Sequence, residues 1–202
     1  LSAVDAEFVR DVEPGEIVSI TEHGLSSDRS MVIDPARQAR CIFEYIYFAR
    51  MDSVLDGVNV YHSRIQAGKA LAESYPVEAD LVAGVPDSGI VAAKGYAEAS
   101  GIPYGIAFHK NSYIGRTFIQ PTQSQRENSV KIKLSVIHET VKDKRVIIVD
   151  DSLVRGTTCS GIIRMLREAG AREVHVRICS PPFLYPCYFG TDVPSNEQLI
   201  AH

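Results

Sequence analysis

Between Val146 and Thr158 the chain reads Val-Ile-Ile-Val-Asp-Asp-Ser-Leu-Val-Arg-Gly-Thr-Thr, and no other stretch restricts the possible folds so tightly. Val146, Ile147, Ile148 and Val149 are four apolar residues in a row. That pattern fits a strand buried on both faces, as in a parallel sheet covered by helices. Two carboxylates, Asp150 and Asp151, follow, then a short loop through Gly156, then Thr157 and Thr158 at the start of a predicted helix. Open α/β sheets bind ligands beyond the carboxyl ends of their strands, which is where this acidic pair falls.

Each part of the run has a chemical use. Neighbouring carboxylates can accept hydrogen bonds from a vicinal diol, such as the 2- and 3-hydroxyls of a ribose. Gly156 lets backbone N–H groups come close to an anion, Thr157 and Thr158 add hydroxyl donors, and a helix N-terminus favours a phosphate. Together they suit a sugar phosphate. The bland alternative is an ordinary strand-to-helix turn with a solvated acidic pair. The spacing excludes two other phosphate motifs, since neither Gly-Lys-Ser/Thr nor Gly-x-Gly-x-x-Gly is present.

Composition sets outer bounds. A chain of 202 residues has room for one domain, or one domain and a piece of another. Its 45% hydrophobic content supports a sizeable core, and its net charge of -4, without a long basic run, disfavours generic nucleic-acid binding. No apolar stretch reaches the ~18 residues of a membrane span, and no signal peptide is evident, so no membrane partner is expected. The first residue is Leu1 rather than Met, which suggests a fragment or a processed product. Cys41, Cys159, Cys179 and Cys187 form no Cys-x-x-Cys pair, so the expectation is reduced thiols in a cytoplasmic enzyme.

The rest of the chain reads as α/β from Cys41 onward. Helices are predicted over residues 64–75 and 90–99 and from Thr157 to Gly170; strands over 81–85, 104–108, 146–149 and 174–178. Such alternation implies a mostly parallel sheet flanked by helices. The first forty residues differ. Phe8 to Val12, a turn at Glu13-Pro14-Gly15-Glu16, and Ile17 to Ile20 suggest a β-hairpin in need of another sheet.

Two further loops support an anion site. Val85-Pro86-Asp87-Ser88-Gly89 also joins a strand to a helix, and Ser88 and Gly89 can offer N–H groups to a second anion. The long connection from Phe108 to Val146 carries Lys110, Tyr113, Gly115, Arg116 and, further on, Lys131 and Lys133. Connections of that length are uncommon unless functional, and this one reads as a closing lid.

The run at Asp150 matches the phosphoribosyl diphosphate (PRPP) signature of type I phosphoribosyltransferases. Phe-Glu-Tyr-Ile-Tyr-Phe-Ala-Arg at 43–50, Lys-Asn-Ser-Tyr-Ile-Gly-Arg-Thr-Phe-Ile at 110–119 and the run itself narrow the match. From about Phe8 to His202 the chain resembles the glutamine phosphoribosyldiphosphate amidotransferase (amidophosphoribosyltransferase) family. The resemblance implies a type I phosphoribosyltransferase fold over residues 41–202. Before it, residues 1–40 would be a short β remnant of an N-terminal-nucleophile glutaminase domain whose catalytic cysteine is missing. The family's last helices would lie beyond His202.

The resemblance also implies roles. Ammonia released from glutamine would be channelled to PRPP, giving phosphoribosylamine and diphosphate in the first committed step of purine synthesis. Asp150, Asp151, Arg116 and Lys110 would be the catalytic set, with Mg²⁺ arriving on PRPP beside the two aspartates. Asp87, Ser88 and Gly89 would line the diphosphate loop; Ser152, Val154, Arg155, Gly156, Thr157 and Thr158 would wrap the 5-phosphate. Tyr113 and Ile119 would belong to the lid and ammonia channel, with Tyr45 or Tyr47 near the channel. One branch of the family holds a [4Fe-4S] cluster, and Cys41 and Cys187 match two of its ligand positions. Four thiolates are the usual set, so the cluster is expected in a full-length parent and not in this chain alone. Purine nucleotides would be feedback inhibitors, and the parent a homo-oligomer, a tetramer by resemblance. Two rival readings remain open: a salvage enzyme that joins PRPP to a nucleobase, and a non-enzymatic regulator that senses PRPP or nucleotides.

Overall fold

The computed structural model describes residues 4–37, 39–113, 134–189, 193 and 195–201. They form two compact units, Leu1–Cys41 and Ile42–His202.

In the first unit, β1 (Ile17–Thr21) pairs antiparallel with β2 (Gly24–Asp28), Ile17 opposite Asp28 and Thr21 opposite Gly24. The expected strand at Phe8–Val12 does not form, and the hairpin turns at residues 22–23 rather than at Pro14-Gly15. The reason is Glu16. Its buried carboxylate accepts the Glu13 N–H at 2.8 Å, two Arg10 guanidinium bonds at 2.8 and 2.6 Å, and the Ser27 hydroxyl of β2. These bonds hold its pKa far below the usual carboxylate range, the Arg10 bond contributing most. Arg10 thus becomes a counter-ion rather than a ladder residue, and residues 13–16 curl around the acid. Ile17, Ile20 and Leu25 of the hairpin are largely exposed.

The second unit begins with a π-helical turn at Glu44–Phe48 and a small hairpin, β3 (Val54–Leu55) with β4 (Val58–Asn59). Then come α1 (Val60–Ser74), β5 (Leu81–Gly84), α2 (Gly89–Ser100), β6 (Phe108–Lys110), β7 (Leu134–Val136), the short α3 (His138–Val141), β8 (Arg145–Asp150), α4 (Thr157–Glu168) and β9 (Glu173–Ile178). The α1 helix starts four residues before the expected Arg64 because the Asn59 side chain accepts the His62 N–H at 3.0 Å and caps it.

Strands β5, β8 and β9 form a parallel sheet in that order, with Leu81 opposite Val146 and Val146 opposite Val174. Side chains of β8 alternate between two cores. Val146 and Ile148 pack with Ile162 and Leu166 of α4, whereas Ile147 and Val149 pack with Ala92, Ala93 and Tyr96 of α2. That division is why the run is apolar at every position.

The strand expected at 104–108 is shorter and split. Val82 donates to Pro103 C=O and Gly105 donates to Val82 C=O, both at 2.9 Å, giving a single parallel bridge at Tyr104. Ala107 C=O then accepts Ile137 N–H at 2.9 Å, and β6 turns away to pair antiparallel with β7.

Helices α1 and α2 cross almost in backbone contact. A Cβ on Gly68 would lie 1.9 Å from Ala92 O, and one on Gly95 would lie 2.2 Å from Ile65 O. Gly68→Ala should therefore cost about 1–3 kcal/mol or more, because the clash is with backbone that cannot rotate aside. Urea unfolding measures the loss; a midpoint equal to that of wild type would refute the close crossing.

Candidate functional site

The site forms where β8 ends between the start of α2 and the end of β9. The loop after β5 is pinned to β8 by Val85 N–H donating to Val149 C=O at 2.9 Å. Gly89 brings α2 so near that a Cβ on it would sit 2.2 Å from Val149 O. On the other side, Asp150 and Asp151 carbonyls accept Cys179 N–H at 3.0 Å and Ser180 N–H at 2.8 Å. The backbone of the acidic pair is thus fixed from both neighbours, and the carboxylates are left to face whatever enters.

Asp151 is buried, and its carboxylate accepts hydrogen bonds from the Ser88 and Ser152 hydroxyls. The loop after β5 and the loop after β8 therefore meet at one carboxylate, although their serines are far apart in sequence. Asp150 accepts the Asp151 N–H at 2.9 Å. Burial first, and the charge of Asp151 second, push the Asp150 carboxyl up from the ordinary 3.8 to about 7. Cys159 of α4 and Cys179 at the end of β9 lie in the same field. The Cys179 thiol is pushed up to about 12, by burial first and by Asp151 and Asp150 next, so it stays protonated at neutral pH.

The loop after Asp151 opens to solvent. Gly156 takes φ 74°, the left-handed conformation that glycine adopts at little cost, and Thr157 and Thr158 start α4 with exposed side chains. Arg155 is exposed on the same loop. An anion there would meet N–H groups and hydroxyls at a helix N-terminus. Across the site, Asp87 is paired with Lys110 of β6, and the Pro86–Asp87 peptide is cis.

A cavity of about 280 Å³ adjoins Asp151. Tyr45, Ile46, Arg64, Ser88, Asp151 and Cys179 are among its lining residues. Arg64 is buried on α1 and donates from Nε to Tyr45 C=O at 2.8 Å and from Nη2 to Ala49 C=O at 2.9 Å, so it holds the π-helical turn in place. Burial lowers its pKa, and the charge of Asp151 opposes that.

The structure brings together several of the residues singled out in the sequence. Asp150, Asp151, Ser88, Gly89 and Ser152 meet at the end of β8; Asp87 and Lys110 pair with each other. Between the two candidate tyrosines, Tyr45 lines the cavity and donates its hydroxyl to Leu55 C=O at 3.0 Å, while Tyr47 packs on Phe43 with ring centroids 5.2 Å apart. Tyr113 is fully exposed. Arg116 and Ile119, like Lys131 and Lys133, lie outside the described residues. Cys41 is exposed in the first unit and Cys187 is partly buried in the second. Among the described residues no three His, Cys, Asp or Glu side chains are grouped to hold a metal ion. Sequence reasoning missed Arg64 and Cys179 as site neighbours. The one available signal was a charged residue at 64 directly beside Ile65, within a helix that needs an apolar face.

Residues 53–179 match the model of the phosphoribosyl transferase domain. The chain belongs to that family. Its curated relatives narrow the likeness within the phosphoribosyl transferases. An amidophosphoribosyltransferase of Archaeoglobus fulgidus is 54% identical over 201 residues, covering 100% of this chain and 44% of that protein. One of Bacillus subtilis is 55% identical over 199 residues, covering 98% of this chain and 41% of that protein. Among solved structures, the glutamine PRPP amidotransferase of B. subtilis complexed with ADP and GMP superposes with a TM-score of 0.82 at 54% identity, covering 99% of this chain and 44% of that one. A structure described as the allosteric regulatory enzyme of purine biosynthesis gives 0.83 at 54% identity, over 99% of this chain and 43% of that one. The chain thus spans less than half the length of these relatives and resembles their phosphoribosyltransferase portion.

The Asp150 shift has a stability consequence. A folded-state pKa above the unfolded one means the native state holds a proton that the unfolded chain has released. Its stabilising contribution is full below about pH 4 and is lost as pH rises through about 7. Asp150→Asn should therefore make the unliganded protein more stable than wild type at pH 8, with the advantage shrinking toward pH 4. Urea unfolding at both pH values checks this; parallel curves for the two proteins would mean Asp150 titrates normally.

Proposed function

We propose that this chain is the PRPP-binding portion of an amidophosphoribosyltransferase. The observation that carries the reading is the meeting of two loops at Asp151, with Asp150 beside it and the N-terminus of α4 one short loop away. In this reading Asp150 and Asp151 accept the ribose 2- and 3-hydroxyls. Residues 152–158 surround the 5-phosphate, and Asp87, Ser88, Gly89 and Lys110 attend the diphosphate. Arg116, Tyr113 and Ile119 close over the substrate.

The chemistry asked of these side chains is positioning and charge stabilisation. Carboxylates beside the ribose favour the cationic character that C1 gains as the diphosphate leaves, and donors around the diphosphate favour its growing charge. Ammonia as the nucleophile needs no strong general base. Hard carboxylate oxygens at Asp150 and Asp151 suit Mg²⁺ shared with substrate phosphates, and the ion would neutralise diphosphate charge when bound. The cavity beside Tyr45 and Asp151 is the space through which ammonia would reach C1.

In the full-length protein, residues 1–40 would continue a glutaminase domain that supplies ammonia from glutamine. Cys41 and Cys187 would contribute two thiolates to a [4Fe-4S] cluster completed from outside this chain. The described residues by themselves do not make a cluster site, and no step depends on one. Purine nucleotides as inhibitors fit the ADP and GMP found with the B. subtilis relative. A homo-oligomer and a cytoplasmic location belong to the same reading; among the described residues, no helix is long and apolar enough to cross a membrane.

At pH 8, above the raised pKa of Asp150, Asp150→Asn and Asp151→Asn should each weaken PRPP binding by about 1.5–3 kcal/mol, since each replaces a charged acceptor by an amide. Calorimetry showing unchanged affinity would remove the ribose role. With PRPP and Mg²⁺, the full-length protein should form phosphoribosylamine from ammonia and no nucleotide from adenine or hypoxanthine. Nucleotide formation would favour the salvage reading instead.

A further inference from the structure

The last described residues fold back onto the loop that follows Asp151. Leu199 is buried, and the next residue, Ile200, donates its backbone N–H to Val154 C=O at 2.9 Å. Ile200 also stands over the turn at Gly156, where a Cβ would lie 2.6 Å from its Cδ1. Ile200 therefore touches the 152–158 loop twice, once at a carbonyl and once at the residue whose positive φ turns the chain into α4.

A loop that receives a phosphate must present N–H groups and keep C=O groups turned away, because a carbonyl oxygen carries partial negative charge. Val154 C=O is two residues before the turn at Gly156. An N–H donor from a separate segment fixes the direction of that carbonyl. It also meets the hydrogen bond that a carbonyl in a tight loop needs.

We propose that Ile200 is a positioning residue for the phosphate loop, its amide holding the Val154 carbonyl outward and its side chain covering Gly156. This rests on the reading that the loop takes the 5-phosphate of PRPP. Ile200 touches no substrate; it acts through the loop's shape. The effect should be confined to the 5-phosphate, because the diphosphate subsite at Asp87, Ser88 and Lys110 is built on other elements.

The test uses calorimetry on the full-length protein with two separate probes, ribose 5-phosphate and inorganic diphosphate with Mg²⁺. Ile200→Pro removes the N–H and should weaken ribose 5-phosphate about tenfold, the cost of one lost hydrogen bond in an anion-binding loop, with diphosphate unchanged. Ile200→Gly keeps the N–H, removes the cover, and should show a smaller loss of the same selectivity. Ile200→Val keeps the N–H and Cγ1 but lacks Cδ1, and should lose less than Ile200→Gly. If Ile200→Pro does not fold, the Gly and Val variants decide. A folded variant set that binds ribose 5-phosphate like wild type, or loses both probes equally, would overturn the positioning role. Wild-type protein that binds diphosphate but not ribose 5-phosphate would instead overturn the assignment of the loop.

Discussion

Two adjacent carboxylates at the end of a buried strand are costly, and much of the local structure answers that cost. Each is partly removed from water, and each repels the other, so the pair resists being fully ionised. The surroundings return hydrogen bonds: Ser88 and Ser152 to Asp151, and the Asp151 N–H to Asp150. Burial first, and the repulsion from Asp151 second, raise the Asp150 pKa. A ligand that brings hydroxyl donors, with or without a cation, relieves what the fold leaves unsettled.

The precision of the arrangement depends on short backbone distances. Glycine at 68 and 95 lets α1 and α2 touch, which in turn places Arg64 beneath the Tyr45 turn. Glycine at 89 lets α2 press against the end of β8, which brings Ser88 within reach of Asp151. Glycine at 156 turns the loop into α4. None of these residues offers a side chain to chemistry, yet each sets where a functional group stands.

Arg64 shows how the cavity is held. Its guanidinium is buried with two carbonyls as acceptors and the charge of Asp151 nearby. Leaving either carbonyl unpaired would cost more than the bond itself contributes. The π-helical turn that carries Tyr45 is therefore tied to α1 through polar contacts, although the cavity it walls is largely apolar. Tyr45 rather than Tyr47 faces that cavity because the turn directs Tyr47 back onto Phe43.

Much of the site was legible in the order of residues. The apolar run, the acids, Gly156 and the threonines specify strand, loop and helix through local rules, since period, turn chemistry and capping act within a few residues. Ser88 and Gly89 were legible for the same reason. The hairpin of the first unit was misplaced because a single buried acid, Glu16, gathers partners from Arg10 and Ser27, and no short-range pattern announces such a cluster. The strand at 104–108 was overextended because its pairing is decided by which edge is open, a property of the sheet. The junction of Ser88 with Asp151, Arg64 with the Tyr45 turn, and Ile200 with the 152–158 loop all join residues distant in sequence. Sequence periodicity determined which elements exist and which residue types stand at their ends. Only tertiary packing decided which of those ends meet, because that depends on how closely two backbones can approach and which buried charges must find partners.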